Sequence, residues 1–191
     1  YFLMFILASS SPRRSDLLHQ AGYDFEVIPA QVNEACPHGT PPMQRVEQLA
    51  RRKAIAVAKQ HPGDAVLAAD TLVAFKGRIL GKPQTPEMAK KMLGLLSGQV
   101  HQVYTAFCLI ANNEVYEDKD CTSVEFYRIE PEEIEAYIAS GEPMDKAGGY
   151  GIQGRGAVFV KRIDGSFTSV VGLPLGKIHR ILKKVGIHPE K

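Results

Sequence analysis

The segment covering residues 4–18 has the sequence MFILASSSPRRSDLL. Its first part, residues 4–8, is an apolar run of the length expected for a buried strand. Three serines and a proline follow, and a proline suits the first turn of a helix that a serine caps. Leu17, Leu18 and Ala21 then have helical spacing, and Gly22 is expected to end the helix. A strand that leads through a polar loop into a helix is typical of an α/β fold.

The alternation of strands and helices continues along the chain, with an antiparallel pair of long strands in the middle. Further strands are expected at residues 23–28, 65–75, 78–80, 100–111, 115–127 and 157–163. Further helices are expected at residues 43–60, 86–96, 131–139 and 173–185. Because no repeat or linker interrupts the series, residues 1–191 are predicted to form a single domain of mixed α/β class, with a long twisted sheet flanked by helices.

The composition is that of an ordinary globular protein: of 191 residues, 45% are hydrophobic and 23% are charged, and the formal net charge is +2. Such a chain can bury a sizeable core, which argues against disorder of the whole chain. The near-neutral charge argues against a dedicated nucleic-acid binder. No apolar run reaches the ~20 residues that span a bilayer. We therefore expect neither a nucleic acid nor a membrane as a partner.

The cysteines and the start of the chain bear on its compartment. Cys36, Cys108 and Cys121 are far apart and odd in number, which argues against a zinc site or a disulfide framework and for a reducing compartment. The apolar run at the start is too short for a signal peptide and lacks its basic beginning. We expect a cytoplasmic protein whose natural start is Met4, preceded by an appended remnant at residues 1–3.

The serine-rich loop after the first predicted strand is the first candidate site. A helix N-terminus attracts anions, Ser9 and Ser11 add hydroxyl donors, and the planar side chains of Arg13 and Arg14 suit phosphate. The alternative is an ordinary serine cap followed by two solvated arginines. The local sequence does not decide between the two.

Two carboxylates form the second candidate. Asp70 comes towards the end of a buried apolar run, where it could bind Mg²⁺ or accept a proton from water. The alternative is an aspartate that caps a turn. Glu34, in the loop before the long helix, could be a second hard oxygen ligand, although an isolated glutamate in a loop is usually solvated.

Two lysines and a glycine-rich stretch complete the candidates. Lys82 stands between Gly81 and Pro83, and Lys53 ends a run of three basic residues; either could meet a phosphate or simply face solvent. Residues 145–156 contain five glycines but no known nucleotide fingerprint. Gln153 within them could read a base edge, because its amide both donates and accepts; the alternative is a flexible loop. The set fits metal-assisted phosphate-ester or anhydride chemistry, and it also fits a nucleotide-binding regulator.

Short motifs follow one another along nearly the whole chain. They are LASSSPRR (7–14), Glu34, LARRKA (49–54), ADT (69–71), GKP (81–83), SGQ (97–99), VYT (103–105), SGEP (140–143), residues 145–156 and VGLP (171–174). In this order they resemble the Maf family of nucleotide pyrophosphatases, which shares the architecture of inosine-triphosphate pyrophosphatases. The resemblance implies that architecture for this chain, with a central cleft between two lobes.

The resemblance also implies a role for each matching position. Asp70 would accept the proton of the attacking water, and Glu34 with Asp70 would surround a divalent cation, Mg²⁺ or Mn²⁺. Four cationic side chains would hold the triphosphate of a nucleoside triphosphate: Arg13, Arg14, Lys53 and Lys82. Three positions are associated with base specificity: Arg13, Thr71 and Gln153.

Two of these positions point to a subgroup. Family members specific for 7-methyl-GTP resemble this chain but carry a bulky aromatic residue in place of Arg13 and a glutamate in place of Gln153. The resemblance therefore implies hydrolysis of dTTP, UTP and modified pyrimidine nucleotides to the monophosphate and pyrophosphate, by a homodimer. Two alternatives remain open at this point: a 7-methyl-GTP pyrophosphatase, and a regulator of cell division and septum formation that binds a nucleotide without turnover.

Overall fold

The computed structural model of the protein describes residues 3–191. Tyr1 and Phe2, two of the three residues expected to precede the natural start, lie outside this range. The strands are β1 (Phe5–Leu7), β2 (Glu26–Val27), β3 (Ala65–Phe75), β4 (Arg78–Leu80), β5 (Val100–Ala111), β6 (Glu114–Phe126) and β7 (Val160–Asp164). The α-helices are α1 (Pro12–Gln20), α2 (Pro42–Ala58), α3 (Pro86–Leu96), α4 (Pro131–Ala139), α5 (Phe167–Val171) and α6 (Leu175–Lys184). Three 3-10 helices cover Glu142–Asp145, Ala147–Gly149 and Arg155–Phe159.

The strands form one mixed sheet of seven, which confirms the predicted mixed α/β class. Its order is β2-β1-β3-β5-β6-β7, with β4 paired to β3. The strand β1 is parallel to both β2 and β3, whereas the β3–β4 and β6–β7 pairs are antiparallel. Within residues 3–191, no helix combines the length and the apolar character that a membrane crossing requires.

Two helices begin where the sequence signals predict, because their first turns are capped. In α3, the hydroxyl of Thr85 accepts from the backbone N–H of Met88 at 3.2 Å. In α4, Glu133 accepts from the backbone N–H of Glu130 at 2.8 Å as part of a capping box. Both helices also have proline in their first turn, where the missing N–H costs nothing.

The chain divides into two compact units. The first comprises the residues up to Asp70 together with Thr105–Asp120 and Gly172–Lys191. In it, the parallel register pairs Leu7 of β1 with Leu67 of β3, and the N–H of Ala8 donates to the carbonyl of Leu67 at 2.8 Å. The carboxyl ends of parallel strands meet at one edge of a sheet, where α/β folds place ligands. The register therefore places the serine-rich loop, at the carboxyl end of β1, next to the part of β3 that follows Leu67 and includes Asp70 in the middle of that longer strand.

The second unit comprises Thr71–Tyr104 and Cys121–Val171. Its core is rich in aromatic side chains: Phe126, Tyr137, Tyr150 and Phe159 are all buried. His101 is also buried, and its Nε2 lies 2.7 Å from the hydroxyl of Tyr150. Burial lowers the pKa of His101 to about 4, so its imidazole is neutral at neutral pH.

Several predicted elements differ from the observed ones. The second strand has two residues rather than six, because its partner β1 offers only three residues to pair with. The strand predicted at 157–163 begins at Val160, since Arg155–Phe159 is a 3-10 helix. The last helix begins at Leu175, directly after Pro174. The short helix α5 was missed, because five residues are too few to show a period.

Candidate active site

Lys53 links two carboxylates in the first unit. Its ammonium lies 2.9 Å from Oδ1 of Asp70 and 2.9 Å from Oε1 of Glu34. The position of Lys53 on α2 explains this inward direction. The buried residues of α2 are Val46, Leu49, Ala50, Ala54 and Val57, and Lys53 falls on the same stripe. Its side chain is only 15% exposed, so the ammonium needs the two carboxylates as partners.

Asp70 lies on β3 directly after five buried residues, 65–69. Burial raises the pKa of its carboxyl, and the neighbouring charges of Lys53 and Arg14 offset that effect only in part. The net pKa is raised above the ordinary value of an aspartate. A carboxylate with a raised pKa is a better proton acceptor than an ordinary aspartate. The residue is therefore suited to take a proton from water.

The serine-rich loop is organised by Ser9. The Ser9 hydroxyl accepts from the backbone N–H of Ser11 at 3.2 Å and from Nη1 of Arg14 at 3.1 Å. Nε of Arg14 donates to the carbonyl of Gly172 at 2.8 Å. Ser11 occupies the N-cap position of α1, but its side chain makes no capping bond. The prediction that a serine side chain caps α1 is therefore wrong. Instead, the hydroxyl of Ser9 accepts hydrogen bonds from the backbone of the loop and from the side chain of Arg14.

The two arginines of this loop differ in their environment. Burial lowers the pKa of Arg14 to about 10, with Asp70 and Glu34 opposing the shift, so the guanidinium keeps its charge at neutral pH. Arg13, in the first turn of α1, is partly exposed. The guanidinium of Arg14, which Ser9 and the carbonyl of Gly172 hold in place, and that of Arg13 together give a cationic loop at the N-terminus of a helix, which suits an anion.

The three basic side chains of residues 51–53 each contact different partners. Besides Lys53, Arg51 makes a two-pronged pair with Glu117, at 2.6 and 2.8 Å. Arg52 donates to the backbone carbonyls of Asn33 and Ala35, at 3.1 and 2.7 Å. These two carbonyls flank Glu34, so Arg52 fixes the loop that carries this carboxylate. Arg52 was not among the residues predicted for the site. No feature of the sequence indicates that its side chain donates to the backbone of the loop that carries Glu34.

The remaining predicted site residues belong to the second unit. Thr71 is the next residue of β3 after Asp70 and is partly exposed. Lys82 is exposed and follows β4, and the carbonyl of the preceding Gly81 accepts from the N–H of Gly148 at 3.1 Å. This bond ties the Lys82 loop to the glycine-rich stretch. Gln153 lies exposed in that stretch.

The first unit thus joins five predicted residues through direct bonds or charges: Ser9, Arg14, Glu34, Lys53 and Asp70. Ser11 and Arg13 lie in the same loop and first helical turn. Thr71, Lys82 and Gln153 belong to the second unit.

A divalent cation was expected at Glu34 and Asp70. In the part of the chain that the structure describes, no group of three or more His, Cys, Asp or Glu side chains is assembled as a metal cage. The two carboxylates do converge on one cationic atom, Nζ of Lys53. Mg²⁺ is commonly held by one or two carboxylates together with substrate phosphates, and the side chains of Glu34 and Asp70 are oxygen donors of that type.

A comparison with protein families decides the relationship. Residues 4–185 match the family described as Maf-like protein. The chain belongs to the Maf-like protein family. The resemblance read from the ordered motifs is thereby confirmed.

Individual relatives of this Maf-like chain agree with the family match. It is 49% identical over 182 residues to a Bacillus cereus protein named dTTP/UTP pyrophosphatase, covering 95% of each chain. A Bacillus anthracis protein of the same name is 48% identical over the same length, again with 95% of each covered. Among solved structures, a HAM1 protein from Coxiella burnetii has a TM-score of 0.52 at 16% identity, over 96% of this chain and 100% of that one. The HAM1 likeness shows a shared fold.

Proposed function

We propose that this protein hydrolyses dTTP and UTP to the nucleoside monophosphate and pyrophosphate. The observation that carries the proposal is the largely buried Asp70 carboxylate, which has a raised pKa and pairs with Lys53, in a Maf-like chain. The Bacillus relatives, which match over 95% of their length and bear the name dTTP/UTP pyrophosphatase, support the choice of substrate.

In the proposed reaction, the oxygen of a water molecule attacks the α-phosphorus, and the bond from that phosphorus to the bridging oxygen of the β-phosphate breaks. Asp70 takes the proton of the water at a carboxylate oxygen, and pyrophosphate leaves. General-base assistance of this kind is worth about 10²–10⁴-fold in rate. The raised pKa of Asp70 strengthens the carboxylate as a base.

The cationic side chains bind and orient the triphosphate. We assign this task to Arg13, Arg14, Lys53 and Lys82, whose charges would stabilise the negative charge that grows on the leaving pyrophosphate. Ser9 fixes the guanidinium of Arg14 for this purpose. The Ser11 hydroxyl would contribute a further donor to the phosphates.

Glu34 and Asp70 are the residues that would hold Mg²⁺ or Mn²⁺. A bound divalent ion supplies Lewis-acid polarisation of phosphate oxygens. Lys53 holds the two carboxylates towards one point, and Arg52 fixes the backbone on either side of Glu34.

Base recognition is assigned to Arg13, Thr71 and Gln153. The amide of Gln153 is neutral and offers both a donor and an acceptor, which suits the edge of uracil or thymine, an uncharged base with one N–H donor and two carbonyl acceptors, better than a carboxylate would. Modified pyrimidine nucleotides share that edge. We therefore propose that the protein removes such nucleotides from the cell, a housecleaning role. Control of septum formation is a second role that it could have together with this one or instead of it.

A panel of nucleotides tests the proposal. The protein is incubated with dTTP, UTP, CTP, GTP, ATP, ITP or 7-methyl-GTP, with and without Mg²⁺ or Mn²⁺, and monophosphate and pyrophosphate are quantified. We expect metal-dependent turnover of dTTP and UTP, with the two products in equal amounts. Binding of dTTP without turnover would support a regulator instead, and turnover of 7-methyl-GTP alone would contradict the roles of Arg13 and Gln153.

We also propose a homodimer in the cytoplasm. The assembly rests on the resemblance, and the compartment on three cysteines that are odd in number and widely spaced. Light scattering on the protein as it elutes from a size-exclusion column should give a molecular mass twice the 21.0 kDa of one chain. A mass of one chain at micromolar concentration would contradict the dimer.

A further inference from the structure

Glu142 and Tyr137, to which no role has been assigned so far, hold the turn that carries Gln153. We define the Gln153 turn as residues 151–156. Oε1 of Glu142 accepts from the hydroxyl of Tyr137 at 2.8 Å and from the N–H of Gly156 at 3.2 Å. Oε2 accepts from the N–H of Arg155 at 2.9 Å. One carboxylate therefore receives three hydrogen bonds, two of them from the turn.

The Tyr137 hydroxyl holds the other end of the Gln153 turn. While it donates to Glu142, it accepts from the N–H of Gly151 at 3.0 Å. The ring of Tyr137 is buried and packs edge-on against Phe159, with centroids 5.0 Å apart. The first and last residues of the turn, Gly151 and Gly156, are thus fixed by one rigid aromatic side chain and the carboxylate that it contacts.

The glycines of the turn are required by close packing rather than by flexibility. A Cβ on Gly154 would lie 2.5 and 2.6 Å from the two carboxylate oxygens of Glu142. A Cβ on Gly156 would lie 2.9 Å from the hydroxyl of Tyr137. Neither glycine has a positive φ angle, so both serve to let the backbone approach these side chains. At Gly156 the approach also involves the backbone, because a Cβ there would lie 2.7 Å from the carbonyl oxygen of Gly151.

The charge of Glu142 is suited to this role. Burial tends to raise the pKa of its carboxyl, but hydrogen bonds from Arg155, Tyr137 and Gly156 outweigh it, and the net pKa is lowered. The group is therefore ionised at neutral pH, and hydrogen bonds to an ionised acceptor are stronger than neutral ones.

We infer that Glu142, together with Tyr137, positions Gln153 for base recognition. Gln153 is exposed on a turn whose backbone is anchored on both sides of it, so the anchors set where its side chain leaves the backbone and thus the space that its amide can reach. Glu142 is a positioning residue that acts through Gln153. The inference rests on the proposed function, because it assumes that Gln153 reads the base.

A double-mutant cycle tests the inference. The variants are Glu142→Ala, Gln153→Ala and the double variant, with Glu135→Ala as the control. Glu135 is on the same helix as Tyr137, is exposed and pairs with Lys90 on the neighbouring helix α3. We expect Glu142→Ala to lower kcat/KM for dTTP about tenfold, mainly through KM, and to reduce the preference for UTP over CTP. In the Gln153→Ala background, the same change should cost less than about twofold, because residues acting through one another are not additive.

A second readout does not depend on turnover. Amide hydrogen exchange of Gly151, Arg155 and Gly156 should be slow in the parent and in Glu135→Ala, and fast in Glu142→Ala. Glu142→Gln keeps one acceptor oxygen and should give intermediate exchange, which provides a result if the alanine variant unfolds. Independent, multiplying effects of Glu142 and Gln153 would overturn the inference, and so would unchanged exchange rates. If the parent turns over no nucleotide, the proposed function fails, while the exchange rates still decide whether Glu142 holds the turn.

Discussion

Replacing Asp70 by asparagine removes the proposed proton acceptor while keeping the size of the side chain. The carboxylate of Asp70 is 15% exposed, and its pKa is raised by burial. An amide cannot take a proton from water at neutral pH, so the variant loses the general base. We expect kcat for dTTP to fall by about 10²–10⁴-fold.

The same change should leave the fold nearly intact. Lys53 keeps Glu34 at 2.9 Å, and the carbonyl oxygen of the new amide can still accept from the ammonium. A raised pKa means that burial disfavours the ionised carboxyl in the folded state, so the neutral amide removes that cost while it weakens the pairing with Lys53. We therefore expect the free energy of unfolding to stay within about 1–2 kcal/mol of the parental value, rather than to fall by the about 3–5 kcal/mol of a buried charge left without a partner. For a chain of this size, the melting temperature should then shift by no more than about 8 °C.

The assay is steady-state release of pyrophosphate from saturating dTTP with Mg²⁺, paired with thermal unfolding of each variant. Asp64→Asn is the matched control. Asp64 precedes the same strand β3, and its carboxylate accepts from the N–H of Met4 at 3.1 Å, a bond that an amide oxygen can keep. An Asp70→Asn protein that retains more than about a tenth of the parental kcat would refute the role of Asp70 as general base.

Three further predictions concern the surroundings of Asp70. Asp70 must be ionised to accept a proton, and burial raises its pKa, so kcat/KM should fall as the pH drops through a value above the ordinary aspartate pKa of about 3.9. A fall centred on that ordinary pKa would contradict the raised pKa of Asp70. Lys53→Met removes a charge that lowers the pKa of Asp70, so the fall of kcat/KM on the acidic side of the pH profile should move to higher pH. A fall at the same pH as in the parent would argue against an electrostatic coupling of Lys53 and Asp70. Arg52→Ala removes the donors to the backbone on either side of Glu34, so the Mg²⁺ concentration for half-maximal rate should rise about tenfold. Arg51→Ala, which breaks the pair with Glu117, is the control.

Much of the fold could be predicted because local signals agree with the final structure. The strand Ala65–Phe75 is apolar except for Asp70 and Thr71 and ends at a Lys-Gly turn, and α3 and α4 each begin with a proline that follows a capping residue. The length of β2 could not be predicted, since it depends on how many residues its partner strand offers. The 3-10 helix Arg155–Phe159 was also hidden, because Glu142 and Tyr137 fix the turn that leads into it.

The candidate site, like the fold, could be predicted from the sequence only in part. The residue types and their order indicated which side chains carry charge and hydrogen bonds. The sequence could not show what Lys53, the member of the run 51–53 on the buried stripe of α2, would contact, because Glu34 and Asp70 come from distant segments. It also could not show that Ser9 rather than Ser11 makes the stabilising bonds, because Ser9 is placed by the register of β1 on β3 and by Arg14.

Hydrolysis of dTTP in ¹⁸O-labelled water tests the central claim most directly. The products of a single turnover by the parental protein are separated and weighed by mass spectrometry. We predict one labelled oxygen in the thymidine monophosphate and an equal amount of unlabelled pyrophosphate. Label in the pyrophosphate, or thymidine diphosphate and inorganic phosphate as products, would contradict attack of water at the α-phosphorus.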